Sequence, residues 1–216
     1  MRQEGYWYGV PLVLISGGLL GFWLRERSPF LLVCAIFFLA LAFLTLNFFR
    51  DPERLIPTLA QAIISPADGR IMQIVRESYE GSPMCRVSIF MSPLDVHVNR
   101  APIAGVVKEV WYRKGAFRAA MEEAASVENE QNVFTLEGEQ GRVVVKQIAG
   151  VLARRIVFWK RPGDTLARGE RVGLIKFGSR VDVLMEPDVA LRIKVGEHVR
   201  AGSSILGTSP IKSEIQ

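Results

Sequence analysis

The chain has 216 residues, with 27 Lys and Arg against 22 Asp and Glu, a formal net charge of +5, two histidines and two cysteines. That length allows one ordinary globular domain and an appendage. Two cysteines give no disulfide framework, and two histidines exclude a His-rich metal site.

The appendage comes first. Gly5 to Leu24 carries no charged residue, and neither does Ser28 to Phe49. Each run is close to the ~20 residues that a helix needs to cross a bilayer. Tyr6, Trp7 and Tyr8 at one end and Phe22 and Trp23 at the other suit the headgroup belts. Gly17 and Gly21 form a small-xxx-small pair, which predicts close packing of the second helix there. The long first run, followed after only Arg25-Glu26-Arg27 by a second, favours a retained helical hairpin over residues 1–49 rather than a signal peptide. Pro11 keeps open a hairpin that dips into one leaflet and returns. Arg2, Arg50 and Arg54 compete with Arg25 and Arg27, so the positive-inside rule does not decide orientation.

From Arg50 onward, residues 50–216, the chain has soluble character, with 24 positive and 20 negative residues. The excess is small and lacks a basic run, so nucleic acid is not a partner. Weak attraction to anionic lipid and an ordinary solvated surface both fit. Gly69–Val75, Met84–Met91, Gly105–Tyr112, Arg142–Ile148, Arg155–Lys160, Val172–Phe177, Val181–Met185 and Ala190–Val195 read as strands, short and rich in Val and Ile. Only Phe117–Val127 has helical composition. The expected fold is mainly β, a compact β sandwich or barrel. Ile64-Ser65-Pro66-Ala67-Asp68-Gly69-Arg70-Ile71 and Val195-Gly196-Glu197-His198-Val199-Arg200-Ala201-Gly202 look like turns of biotinyl and lipoyl carrier domains. Those carriers present a lysine at a hairpin tip, and here the nearest candidate tip is Met185-Glu186-Pro187-Asp188.

The chemistry centres on Leu174 to Val183, which on physical grounds alone is two strands joined at the Gly178-Ser179 turn. A glycine there has chemical meaning, because it reaches unusual backbone angles and leaves its carbonyl open to the next residue's hydroxyl. Such a peptide can rearrange to an ester, eliminate to dehydroalanine, and hydrolyse to a pyruvoyl group and ammonia.

Four segments stand in order: Phe48-Phe49-Arg50-Asp51-Pro52-Glu53-Arg54, Ser65-Pro66-Ala67-Asp68-Gly69, Ser92-Pro93-Leu94-Asp95-Val96-His97-Val98-Asn99-Arg100 and Lys176-Phe177-Gly178-Ser179-Arg180-Val181-Asp182. Together they resemble phosphatidylserine decarboxylase in its short bacterial and archaeal form, from about Phe48 to Gly207. The resemblance implies cutting between Gly178 and Ser179, with residues 1–178 as a β chain and 179–216 as an α chain. Ser179 then becomes a covalent pyruvoyl group, the only cofactor, with no metal. It condenses with the amine of phosphatidylserine as a Schiff base and releases carbon dioxide and phosphatidylethanolamine. It also implies that Asp68 and His97 assist Ser179, with the imidazole taking its proton and the carboxylate orienting the ring. The longer bacterial form has a further histidine where this chain has Arg100. That leaves open whether His97 serves cutting, protonation of the decarboxylated substrate, or both. A cell-membrane protein with its catalytic domain on the cytoplasmic side follows from the same resemblance, and association with like chains stays open. Gly202-Ser203 lies in the carrier-like turn and is set aside as the cut site. His198 reads as a surface turn residue, Arg100 and Lys176 as solvated strand residues with headgroup phosphate as the alternative, and Asn129-Glu130-Gln131 has no assigned role. The rival readings are a membrane-anchored carrier-like binding module and a Ser/Lys protease using Ser92 or Ser179 with Lys176.

Overall fold

The computed structural model describes residues 3–119, 121–122, 124–151, 155–176 and 179–210. The chain divides into two compact units, Met1–Glu53 and Arg54–Gln216.

The first unit is a pair of helices, α1 (Gln3–Glu26) and α2 (Pro29–Phe48), each long and apolar enough to cross a membrane. At 1.5 Å per residue each spans about 30 Å or slightly more, the thickness of a hydrocarbon core. Arg27 turns the chain in the left-handed region (φ 54°), with its guanidinium over the Trp23 ring, and Pro29 opens α2. The seam differs from the sequence expectation. A Cβ on Gly17 or Gly21 would meet nothing within 4 Å, whereas one on Gly9 would come within 2.3 Å of Leu46 Cδ2. Gly9 and Ser16, seven residues apart, lie on the face that meets α2, and the Ser16 hydroxyl donates to the Ala35 carbonyl at 2.8 Å. Gly17 and Gly21 are the same kind of residue on the wrong face of the helix.

The second unit is mainly β. Its elements are β1 (Ala62–Ile64), β2 (Gly69–Tyr79), β3 (Ser82–Met91), β4 (Val98–Arg100) and β5 (Gly105–Arg113), then the short α3 (Ala125–Glu128). β6 (Gln131–Gly138), β7 (Gly141–Ala149), β8 (Ile156–Phe158), β9 (Thr165–Leu166) and β10 (Arg171–Ile175) follow. The last are β11 (Ser179–Met185), β12 (Ala190–Leu191), β13 (His198–Val199) and β14 (Ile205–Thr208). Eight of them make a curled antiparallel sheet in the order β13-β2-β3-β11-β7-β6-β5-β9. Two three-stranded sheets, β1-β14-β12 and β4-β10-β8, complete the unit.

The β-rich character agrees with the sequence; of the helix expected over Phe117–Val127, in which residues 120 and 123 lie outside the described residues, the described part is helical only in α3. Ahead of α3 the Asn129 side chain accepts from the Arg118 N–H and donates to the Arg118 carbonyl. An amide side chain that competes in this way for backbone groups favours an irregular loop. The expected strand over Ala190–Val195 is likewise only β12.

β11 lies between β3 and β7 and is buried along its whole length. Its side chains alternate across the sheet. Val181, Val183 and Met185 enter the main core with Ile89, Val145 and Ile71, while Leu184 joins a smaller cluster with Met84, Val133 and Val144. Ser179 is in phase with Val181, so it faces the main core.

Candidate active site

Ser179 is the first residue of β11, opposite Met91 of β3 and Ala149 of β7, and fully buried. Its hydroxyl reaches the Met91 thioether at 3.3 Å, a weak acceptor that leaves Oγ lightly held. Gly178 and Phe177, the other half of the proposed cut site, lie outside the described residues. Just upstream, the Ile175 N–H donates to the His97 carbonyl at 3.3 Å, and β10 pairs with β4 immediately after His97. The histidine thus sits on the segment that the approach to Ser179 is stitched to.

His97 is 2% exposed, and its Nδ1 lies 2.9 Å from the Asp95 carbonyl. A carbonyl only accepts, so Nδ1 carries the proton and a neutral ring has its basic lone pair on Nε2. That tautomer is the one a proton acceptor needs. The described partner of Nδ1 is thus a main-chain carbonyl. Asp68 Oδ1 accepts from the Ala201 N–H and Oδ2 from Arg54 Nη2, each at 2.7 Å. Asp68 therefore binds the turn before β14 and the first residue of the β unit.

Asp95 emerges as a residue the sequence reading passed over. Its Oδ2 accepts from the Ser92 N–H at 2.8 Å, closing the turn, its carbonyl holds His97, and its Oδ1 lies 3.0 Å from His198 Nε2. His198, read as a surface turn residue, is half exposed and joined to this motif. Ser92 belongs to the same turn, its Oγ accepting from the Leu94 N–H. Arg100 is a correction: it is 5% exposed, and its Nη1 donates to the Gly169 carbonyl at 3.0 Å. A solvated strand residue does not describe it. Asn129, assigned no role, donates to the carbonyl of Ala149, the residue opposite Ser179, at 2.7 Å.

The separated motifs meet here. Pro66 of the Ser65–Gly69 turn accepts from the Arg100 N–H at 2.9 Å, and Asn99 Nδ2 approaches the same carbonyl at 3.5 Å. Arg54 ties the first motif to Asp68 of the second. Gly69 (φ 151°) is required because a Cβ would stand 2.1 Å from the Phe90 carbonyl oxygen. The two carrier-like turns lie side by side, with β13 on the start of β2 and the Gly202 N–H bonded to the Ser65 carbonyl at 2.8 Å.

Behind Ser179 is a buried charged layer on the other face of the sheet. Arg180 Nε donates to Asp182 Oδ1 at 2.6 Å and its Nη2 to Ser88 Oγ at 2.9 Å. Arg86 bonds Ser88 and Glu77 and lies 3.7 Å from Asp182 Oδ2. Lys146, paired in register with Asp182, has its ammonium over the Tyr79 ring, and burial holds its pKa below the ordinary 10.5 against the pull of Asp182 and Glu77. Among the described residues no three His, Cys, Asp or Glu side chains are grouped to hold a metal ion.

A family model described as phosphatidylserine decarboxylase matches residues 41–207. A phosphatidylserine decarboxylase proenzyme of Geobacter metallireducens is 42% identical over 215 residues, 97% of each chain. Proenzymes of the same name from Solibacter usitatus and Desulfotalea psychrophila are each 49% identical, over 172 and 177 residues, with 80% of this chain and 82% of theirs covered.

Proposed function

This chain belongs to the phosphatidylserine decarboxylase family of carboxy-lyases, and we propose that it is a precursor that cuts itself between Gly178 and Ser179 and then decarboxylates phosphatidylserine to phosphatidylethanolamine and carbon dioxide. The observation that carries the reading is a buried, lightly held serine hydroxyl, with His97 on the segment beside its approach in the tautomer of a base.

The Ser179 hydroxyl loses its proton to His97 Nε2 and attacks the carbonyl carbon of residue 178; the peptide C–N bond breaks and an ester forms. Removal of the Ser179 Cα proton expels the β chain as a carboxylate. Water then replaces the nitrogen of the dehydroalanine, ammonia leaves, and the α chain begins with a ketone. The surroundings of Ser179 fit such an end group, because among the described residues its hydroxyl has only a thioether partner and a methyl in its place gives up little hydrogen bonding. A pyruvoyl group formed from Ser179 would supply a ketone to bind the substrate amine and a second carbonyl to take up the electrons of the breaking Cα–carboxylate bond. Pairing of β11 with β3 and β7 over its length keeps the new end of the α chain in register after the cut. The apolar hairpin anchors the enzyme in the cell membrane beside a lipid substrate, with the catalytic unit on the cytoplasmic side.

Electrophoresis of the purified protein tests this. Two chains without added protease are expected, with carbon dioxide released from phosphatidylserine vesicles. Ser179→Ala stays a single inactive chain, and Ser203→Ala is cut and active. An uncut wild-type chain without decarboxylase activity would return the protein to the anchored binding-module reading.

A further inference from the structure

Two imidazoles meet on Asp95. Its main-chain carbonyl lies 2.9 Å from His97 Nδ1, and its carboxylate Oδ1 lies 3.0 Å from His198 Nε2. The residue is also held within its own turn. The Asp95 N–H donates to the Ser92 carbonyl at 2.9 Å, Oδ2 accepts from the Ser92 N–H at 2.8 Å, and Ser92 Oγ accepts from the Leu94 N–H at 3.3 Å. His198 reaches this turn from 103 residues further along the chain. Its backbone gives the ring a firm base, because β13 pairs with β2 and sets His198 opposite Arg70. The Ile71 N–H donates to the Glu197 carbonyl and the Gly196 N–H to the Ile71 carbonyl, each at 2.8 Å.

The path runs inward from solvent. The His198 side chain is 51% exposed and that of Asp95 16%, while His97 is buried. An ion pair so open to water adds little stability, so its consequence lies in geometry. A carboxylate only accepts, so His198 Nε2 carries the proton that meets Oδ1. The Asp95 carboxylate is thereby clamped between Ser92 on one side and β13 on the other, which pins the turn to the eight-stranded sheet. The carbonyl of the same residue is then fixed on His97 Nδ1. The partner of one ring nitrogen decides which nitrogen of a neutral imidazole holds the proton. We propose that His198 is a positioning residue for His97: by holding the Asp95 carboxylate it keeps the Asp95 carbonyl on Nδ1 and leaves Nε2 as the basic nitrogen. The inference rests on the self-cutting reading above, in which His97 takes the Ser179 proton, and adds the group that sets the base. Under that reading His198 belongs to the α chain and His97 to the β chain.

The test has two arms on the full-length, detergent-solubilised chain. The first is NMR of histidine labelled at its ring nitrogens, in the uncut Ser179→Ala background at alkaline pH, where a neutral imidazole is the ordinary form. The chain has two histidines, so His198→Gln removes one set of signals and assigns the other to His97. With His198 present, or with Gln as a substitute N–H donor, His97 shows the form protonated on Nδ1. His198→Ala turns it into a mixture of tautomers. The second arm is the rate of chain cutting with Ser179 intact. His198→Ala slows it about 10-fold, less than the ~10²–10⁴ of a lost base, and His198→Gln restores most of the rate. An unchanged His97 tautomer in His198→Ala overturns the inference while self-cutting stands. So does a cutting deficit that His198→Gln shares and that tracks a lowered unfolding midpoint. A wild-type chain that never cuts removes the underlying reading, and the tautomer still decides whether His198 sets the His97 ring.

Discussion

Replacing Arg180 by Leu isolates the charged layer behind Ser179. Arg180 and Asp182 side chains are 1% and 0% exposed and 2.6 Å apart, so neither charge meets solvent. Removing one partner of such a pair typically costs about 3–5 kcal/mol, because a buried carboxylate is left behind, whereas replacing both by apolar groups is often neutral. Arg86 remains 3.7 Å from the other Asp182 oxygen. That residual attraction puts the expected loss for Arg180→Leu near the lower end, about 3 kcal/mol. Against a typical domain stability of about 5–15 kcal/mol this is a large fraction. The double variant Arg180→Leu, Asp182→Leu should recover most of it, since Arg86 keeps Glu77 and Ser88. Urea unfolding of the detergent-solubilised chain, followed by circular dichroism in the uncut Ser179→Ala background, gives both values. A single-variant loss below about 1 kcal/mol, or a double variant as unstable as the two singles added, would refute the reasoning.

Asp68→Asn should retain the acceptor for the Ala201 N–H yet lose the ion pair with Arg54, lowering the unfolding midpoint with only a small effect on kcat per cut chain; a kcat deficit at unchanged stability would restore Asp68 to the catalytic machinery. His97→Ala should slow cutting by ~10²–10⁴, the usual worth of a general base, and following carbon dioxide release in the fraction that does mature shows whether the ring also protonates substrate. A His97→Ala chain that matures at the normal rate removes it from the cutting step. Lys146 gives a pH signature. Its folded-state value lies below 10.5, so the unfolded chain binds the proton more tightly and wild type gains stability as pH rises from that lowered value towards 10.5. Lys146→Met should lack this gain in urea midpoints measured across that window, and parallel curves would contradict the burial argument.

The sequence made the candidate residues legible before it made their connections legible. Ser179, His97 and Asp68 stand in recognisable runs, and the strands with dense Val and Ile were found because their composition is local information. β6 was passed over because Gln131 and Asn132 open it with polar side chains, and the partner of Asn132, Gln147, lies 15 residues further on. β9, β12 and β13 are two-residue strands, set by what they pair with rather than by propensity. The partner of Asp68 could not be read either, since Arg54 and Ala201 reach it from 14 and 133 residues away. The carbonyl of Asp95, two residues before the His97 ring and 2.9 Å from its Nδ1, could not be read as a partner either. Gly17 and Gly21 show the same limit, for their spacing names a face but not whether that face is the one in contact.

The central claim is that Ser179 becomes the end of a new chain, and the intact mass of the small fragment tests it most directly. The account predicts a fragment of residues 179–216 that resists stepwise degradation from its amino end and weighs less by one ammonia than the same peptide beginning with serine. A fragment of that length with a free amino-terminal serine, or an active enzyme whose chain is whole, would contradict it.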